Sequence, residues 1–422
     1  MIGEIIAIGD ELTSGRILNS TSSFAAGHLF AAGHEVIAMS TVGDTPDMIG
    51  EALHKALNRA DFIIVTGGLG ATSDDLTNEA VSMALERPST FRPEIIEKMR
   101  SAGHIHSKCP HGGCGGKRSL EKLAWLPEGA QVLKPEARMA GYLLVHDNKP
   151  IFFLPGVPHE MRELMLDIVL PWLSDRDGQN ARQVVQKIYR VFGQREIEIN
   201  RKLAGLEQQY PGIRVGYYPV FPEVHISITV TAFDRKEADS LFRQCDADIQ
   251  ATLEPFVYGA GEETMEAVVG KLLTDHNKCL ATAESCTGGL VAHRITRVPG
   301  SSGYFFGGIV AYSNSIKESL LGVGRDVLNK HGAVSAQTAG AMAKGGRHAT
   351  GADICISVTG IAGPDGGTSE KPVGTVYMGL ADSEETRDFL FKFSGKRHQI
   401  QSIAAQTALD LVRRKLLGIQ NN

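Results

Sequence analysis

Ser285 stands in the run Ala283-Glu284-Ser285-Cys286-Thr287-Gly288-Gly289, where a short apolar segment gives way to a glycine pair. Cys279 to Ala283 reads as a strand, Glu284-Ser285-Cys286 as the turn after it, and Thr287 as the start of a helix. A hydroxyl at such a turn faces the positive end of the helix, which stabilises an anion forming at or beside it. Gly288 and Gly289 let a substrate approach the backbone. The same residues also suit a plain helix cap, so this run alone leaves two readings open.

Two further runs bear on the choice. Ala311-Tyr312-Ser313-Asn314-Ser315-Ile316-Lys317 follows a strand-like segment, Tyr304 to Tyr312, and puts a lysine on the next turn or helix. A lysine sheltered from water loses affinity for its proton and can act as a base, whereas an exposed one only solvates a helix face. Tyr312 would relay the proton, orient the nucleophile or simply pack. Thr359-Gly360-Ile361-Ala362-Gly363-Pro364-Asp365-Gly366-Gly367 follows the apolar Ile354 to Val358. Such a loop presents backbone N–H groups to a phosphate or an oxyanion. A hydroxyl, a lysine with a tyrosine, and a glycine-rich loop are the parts that acyl transfer by an activated serine needs. Cys286 is a rival nucleophile, although a cysteine beside such a serine also serves as a small packing residue.

Elements must hold these residues together, and the chain has the length for several domains: 422 residues exceed one ordinary core. A hydrophobic fraction of 42% with 22% charged residues is that of a soluble globular protein. The formal net charge of -5 argues against a general nucleic-acid binder. No run is long and apolar enough for a membrane span, and the amino terminus lacks a secretory signal. Six scattered cysteines make no disulfide framework, which places the chain in a reducing cytoplasm.

Apolar runs ending in glycine and followed by helical spacing predict an α/β multidomain fold. Residues 1–173 form the first domain, with strands at Ile5–Ile8, Val36–Ser40 and Asp61–Thr66 and helices at Ser20–Ala32, Thr45–Asn58 and Asp75–Leu85. The polar Ser174-Asp175-Arg176-Asp177-Gly178-Gln179-Asn180 reads as a linker. Residues 181–255 form a small α+β middle module, and residues 262–418 a third α/β domain ending in a helix, Ile400 to Leu416.

The three C-terminal runs, with Gly332-Ala333-Val334-Ser335 between them, resemble the C-terminal domain of the CinA family, competence/damage-inducible protein A. That domain is similar to stand-alone nicotinamide-mononucleotide deamidases. The resemblance implies a hydrolase, a nicotinamide-nucleotide amidase, converting nicotinamide mononucleotide to nicotinic acid mononucleotide and ammonia in pyridine-nucleotide salvage. Ser285 would attack the carboxamide carbon, and Lys317, helped by Tyr312, would take the proton and later deliver one to ammonia. Thr287, Gly288, Asn314, Thr359, Gly360, Ala362 and Gly363 would line the substrate site, backbone N–H groups near Thr287 or in the 359–363 loop would hold the oxyanion, and Arg397 would meet the phosphate. No metal or other cofactor is required by this scheme.

Two N-terminal runs, Ile8-Gly9-Asp10-Glu11-Leu12 and Thr66-Gly67-Gly68-Leu69-Gly70-Ala71-Thr72-Ser73-Asp74-Asp75-Leu76-Thr77, also resemble the family, through its molybdopterin-binding-like domain. Leu154-Pro155-Gly156-Val157-Pro158-His159-Glu160-Met161 resembles its closing motif. Gly67, Gly68, Gly70, Thr72 and Ser73 would cradle a phosphate, and Asp74 and Asp75 would hold a divalent metal or cap a helix. The resemblance implies a metal-dependent ADP-ribose pyrophosphatase, with ADP-ribose as a second substrate. Three features depart from the family pattern where the nucleotide should sit: Ala71 replaces a proline, Thr21 an asparagine, and Lys134-Pro135-Glu136-Ala137-Arg138-Met139-Ala140-Gly141 the usual loop. The weight of the chemistry therefore falls on the C-terminal third.

His104, His106, Cys109, His111 and Cys114 crowd one glycine-rich stretch in a spacing that matches no standard zinc site, so an incidental loop is the favoured reading. The middle module carries no recognisable chemistry, and the resemblance gives it a spacer or homodimer-contact role. A non-enzymatic reading, an accessory in DNA uptake or repair, has the acidic balance against it, and direct DNA binding is not expected.

Overall fold

The computed structural model describes residues 1–101, 121–134, 141–178 and 182–419. It divides into two compact units, Met1–Gln186 with Thr229–Phe242, and Lys187–Ile228 with Arg243–Asn422.

The first unit runs β1 (Ile2–Ile8), α1 (Asp10–Thr13), α2 (Ser20–Ala31), β2 (Glu35–Val42), α3 (Pro46–Arg59), β3 (Phe62–Thr66), α4 (Thr77–Ala84), β4 (Ser89–Phe91), α5 (Pro93–Ser101), β5 (Trp125–Pro127), β6 (Gln131–Val132), β7 (Tyr142–His146), β8 (Lys149–Leu154), α6 (Pro158–Leu164) and α7 (Leu170–Asp177). Its main sheet has the order β2-β1-β3-β8-β7-β6. β2, β1, β3 and β8 are parallel, while β7 and β6 run antiparallel. β3 is buried at every position, as a strand covered on both faces must be. Successive side chains alternate faces. Ile5, Ile64 and Phe152 meet Leu29 of α2 and Met161 of α6 on one side. Ile6, Val65 and Phe153 meet Leu53 of α3 and Val81 of α4 on the other.

Two expectations for this unit change. The segment Ser174–Asp177, read as linker, is the end of α7. Its polar face hides the reason: Asp177 accepts from the Met1 amino group at 3.3 Å and lies 3.5 Å from His34, while Leu173 anchors the helix in the core. The helix after the Gly67–Gly70 turn starts at Thr77, not Asp75.

The middle segment forms β9 (Gln183–Val191), α8 (Glu196–Lys202), α9 (Leu206–Gln209), β10 (Ile213–Val220), β11 (Glu223–Ala232), α10 (Arg235–Leu253) and β12 (Val257–Ala260), with sheet order β10-β11-β9-β12.

The C-terminal segment follows with α11 (Met265–Asp275), β13 (Leu280–Glu284), α12 (Leu290–Thr296), β14 (Phe305–Val310), α13 (Asn314–Leu321), α14 (Arg325–His331), α15 (Ala336–Thr350), β15 (Ile354–Gly360), β16 (Thr375–Ala381), β17 (Thr386–Lys392) and α16 (Arg397–Leu416). The sheet order is β14-β13-β15-β16-β17. β14, β13 and β15 are parallel, β16 and β17 antiparallel. Val269 of α11, Val291 of α12 and Leu409 of α16 pack with Ile356 and Val358 on one face. Leu321 of α13 and Met342 of α15 pack with Ala281, Ala283 and Cys355 on the other. The chain leaves β13 for β14 on one side and then returns to β15 on the other. This reversal makes the carboxyl end of β13 the topological switch point, the usual place for a ligand in an open α/β sheet.

Candidate active site

Ser285 is the first residue beyond β13, so it stands at that switch point. Its N–H donates to the Val358 carbonyl at 2.8 Å, which ties it to β15. Lys317 lies on α13, beyond the end of β14, and is 1% exposed. Its Nζ is 3.1 Å from Ser285 Oγ and donates to the Ala311 carbonyl at 2.7 Å. Burial lowers the Lys317 pKa from the ordinary 10.5. In its neutral form the amine, held by the Ala311 carbonyl, would present a lone pair to the serine hydroxyl, the geometry of a base beside a nucleophile. Burial pushes the thiol of Cys286, the rival, up to about 12, which disfavours the thiolate that a nucleophilic cysteine needs.

The turn itself differs from expectation. Glu284 belongs to β13, and the helix begins at Leu290, not Thr287. Gly288 and Gly289 between them adopt φ of +65° and +97°, the left-handed region that glycine enters at low cost. Ser285 does not cap α12. Glu284 Oε2 accepts from the Gly289 and Val291 amides at 3.0 Å each, and Oε1 from Ala292 at 2.8 Å. Gln401 of α16 donates Nε2 to the Cys286 carbonyl at 2.9 Å. Neither residue was singled out from the sequence. A carboxylate in the apolar run Leu280–Glu284 was a readable sign, because a buried charge must be paired. So was Gln401, four residues and one helical turn after Arg397.

The other expected residues divide. Tyr312 is 62% exposed, and its hydroxyl accepts from Arg397 Nη2 at 2.9 Å; its bond runs to Arg397 and not to the Ser285–Lys317 pair. Arg397 Nη1 donates to the Gly363 carbonyl at 2.7 Å, so Tyr312, Arg397 and Gly363 form one cluster. Thr287 is buried, and its Oγ1 has no protein partner. Gly288 is exposed, with open space around it. Asn314 is the exposed first residue of α13, capped by Ser313. Thr359 and Gly360 are the end of β15 rather than a loop. Thr359 Oγ1 is spent on the Ala333 carbonyl at 2.7 Å, and the Ile361 N–H on Thr375 at 2.9 Å. Ala362 and Gly363 are buried at the start of the loop.

In the first unit a cleft of about 620 Å³ opens where β1, β3 and β8 end. Gly67, Gly68, Gly70, Asp74 and Asp75 line it with Glu11, Asp44 and Glu160; Thr72 and Ser73 do not. Thr72 donates its N–H, at 2.9 Å, and its hydroxyl to Asp75. Burial raises the Asp44 pKa, and the nearby Asp10, Glu11 and Asp74 charges add to it. Among the described residues no three His, Cys, Asp or Glu side chains converge on a metal position. Thr21 lines the cleft, its hydroxyl 3.4 Å from that of Thr66. His104, His106, Cys109, His111 and Cys114, and residues 135–140 of the altered loop, lie outside the described residues. Among the described residues no helix is long and apolar enough to cross a membrane.

Fold and site define an α/β protein with a serine–lysine pair at the switch point of its last sheet. Three family models match it: probable molybdopterin binding domain over residues 4–175, damage-inducible protein CinA KH domain over 186–259, and CinA C-terminal domain over 262–416. The chain is 49% identical over 414 residues to a CinA-like protein of Desulfotalea psychrophila, covering 98% of each. It is 38% identical over 419 residues to a putative competence-damage inducible protein of Halothermothrix orenii, covering 99% of each. A solved structure, the competence/damage inducible protein CihA from Agrobacterium tumefaciens, is 37% identical, covers 36% of this chain and 93% of its own, and has a TM-score of 0.35. The chain belongs to the CinA family: a molybdopterin-binding-like N-terminal domain, a KH-like middle module and a C-terminal CinA domain. KH domains clamp nucleic acid with a Gly-x-x-Gly loop, and no such sequence occurs in 186–259.

Proposed function

We propose that the chain is an amidohydrolase that converts nicotinamide mononucleotide to nicotinic acid mononucleotide and ammonia. The observation that supports this reading most is the 3.1 Å approach of a buried Lys317 amine to Ser285 Oγ. Ser285 Oγ attacks the carboxamide carbon while its proton passes to the Lys317 amine. The tetrahedral intermediate collapses, the C–N bond breaks, and the Lys317 ammonium protonates the departing nitrogen to give ammonia. Water then attacks the acyl ester, Lys317 takes its proton and returns it to Ser285, and the carboxylate product leaves. The Arg397 guanidinium beside Tyr312 and Gly363 is the candidate for the ligand phosphate. No metal enters this scheme. The test is ammonia release from nicotinamide mononucleotide: Ser285→Ala abolishes it with the fold intact, and undiminished turnover removes Ser285 from the mechanism.

The glycine-lined cleft of the first unit favours a second reading, an ADP-ribose pyrophosphatase. Among the described residues its wall carries acidic side chains and no lysine or arginine, and no three of their side chains converge on a metal position, so a pyrophosphate bound there would need a divalent cation to offset the acidic wall. Release of AMP from ADP-ribose across a panel of divalent metals tests it; no product leaves this unit a binding or assembly domain. Localisation in the cytoplasm and a homodimeric state belong to the same proposal.

A further inference from the structure

We infer that Glu284 is the positioning residue of the nucleophile turn: its carboxylate takes the amides that open α12 and thereby fixes where Ser285 meets Lys317. This rests on the amidohydrolase reading and goes beyond it.

Glu284 is 1% exposed, and among the described residues its carboxylate bonds only backbone N–H groups and pairs with no cationic side chain. Its charge is held by three backbone amides alone, those of Gly289, Val291 and Ala292. A buried carboxylate without a cation is a costly way to cap a helix that a serine could have capped. What it gains is a bracket. Glu284 precedes Ser285 directly, and its partners follow the turn directly, so Ser285 to Gly288 is closed into a loop pinned at both ends. Two more tethers hold the loop within: Gly288 N–H on the Ser285 carbonyl at 3.1 Å, and Gln401 Nε2 on the Cys286 carbonyl at 2.9 Å.

The bracket also decides which amides remain. Glu284 occupies the helix end, so neither a phosphate nor an oxyanion can use it. The Cys286 and Thr287 N–H groups donate to no backbone carbonyl among the described residues. They sit one and two residues past the nucleophile, where an acyl oxygen needs donors. A displacement of about 1 Å in such a turn costs about a hundredfold in rate.

The experiment uses the full chain with Glu284→Gln, Glu284→Asp and Gln401→Met, measuring kcat and KM for ammonia release, with amide hydrogen exchange of residues 288–292. Glu284→Gln keeps the shape but replaces an acceptor oxygen with a donor facing N–H groups. The expected result is a kcat about a hundredfold lower with KM within threefold of wild type. Glu284→Asp recovers part of the loss, since it restores the charge, and Gln401→Met lowers kcat by about tenfold. A kcat within threefold of wild type in Glu284→Gln overturns the proposal. So does a raised KM with kcat kept, which would put Glu284 in binding instead. If Glu284→Gln does not fold, Gln401→Met alone decides by the same kcat criterion. If wild type releases no ammonia, the amidohydrolase reading falls, and exchange decides: at least tenfold faster exchange at 288–292 in Glu284→Gln supports the bracket, and unchanged exchange overturns it.

Discussion

In the proposed reaction Lys317 would owe its role as a base to burial. Water is excluded from its amine, the charged form is penalised, and the pKa falls from 10.5. Turnover should therefore rise with pH as Lys317 loses its proton, at a pH below the ordinary lysine range. Lys317→Met keeps the apolar stem and removes the base, so the rate drops by about 10²–10⁴-fold, and that rising limb disappears from the pH–rate profile. The linked stability change has a definite sign. The unfolded chain holds the proton that the folded chain resists, so stability falls as pH drops from 10.5 to the lowered folded value and is flat below it. Lys317→Met loses this dependence. An unchanged profile in the variant would show that another group is the base. The strand–turn–helix pattern puts Ser285 and Lys317 each just past a strand, and the family resemblance, not that pattern, pairs them. The partners of Tyr312 and Glu284 are not legible, because a side chain's direction across a turn depends on φ and ψ values that residue types alone do not set.

The elements place the pair, and one close approach shows how narrowly. Gly345 lies within α15, and a Cβ there would come 1.8 Å from the Leu321 carbonyl oxygen. Leu321 ends α13, one turn after Lys317. A glycine inside a helix costs about 1 kcal/mol against alanine, and here it lets α13 and α15 touch. Gly345→Ala should push α13 outward, lower stability by about 1–3 kcal/mol, and reduce ammonia release more than the stability loss explains, since Lys317 moves with its helix. Thermal unfolding and turnover on the same sample check it; full activity with a lowered Tm would separate α13 packing from the site. Element existence was readable from apolar periodicity, while ends were not. α7 survives its polar Ser174–Asp177 because of Met1 and His34, which lie far away in sequence. β15 runs on through Thr359 and Gly360 because β16 is there to pair with them.

At the scale of the molecule, the middle module reads from the sequence as carrying no recognisable chemistry, with only a spacer or dimer-contact role by resemblance, because the side chains around Glu223 come from segments that meet only in the fold. In the second unit Phe192 and Tyr258 share the core of α11 and α16. Glu223 gathers Arg190 at 3.2 Å, His225 at 2.7 Å, the Tyr258 hydroxyl at 2.6 Å and Gln406 at 3.1 Å. Gln406 Oε1 accepts in turn from Arg294 of α12, at 2.5 Å. Glu223→Ala leaves these donors without their shared acceptor and should cost about 2 kcal/mol. Both tryptophans, Trp125 and Trp172, lie in the first unit. If the units unfold separately, the denaturation midpoint seen by tryptophan fluorescence is unchanged in Glu223→Ala. Slow amide exchange in β15 and α16 then accelerates about thirtyfold, the equivalent of that loss. A fluorescence midpoint that shifts together with the exchange rates would instead mean that the two units unfold as one, and no change in either would mean that Glu223 contributes nothing to holding the middle module against the C-terminal domain.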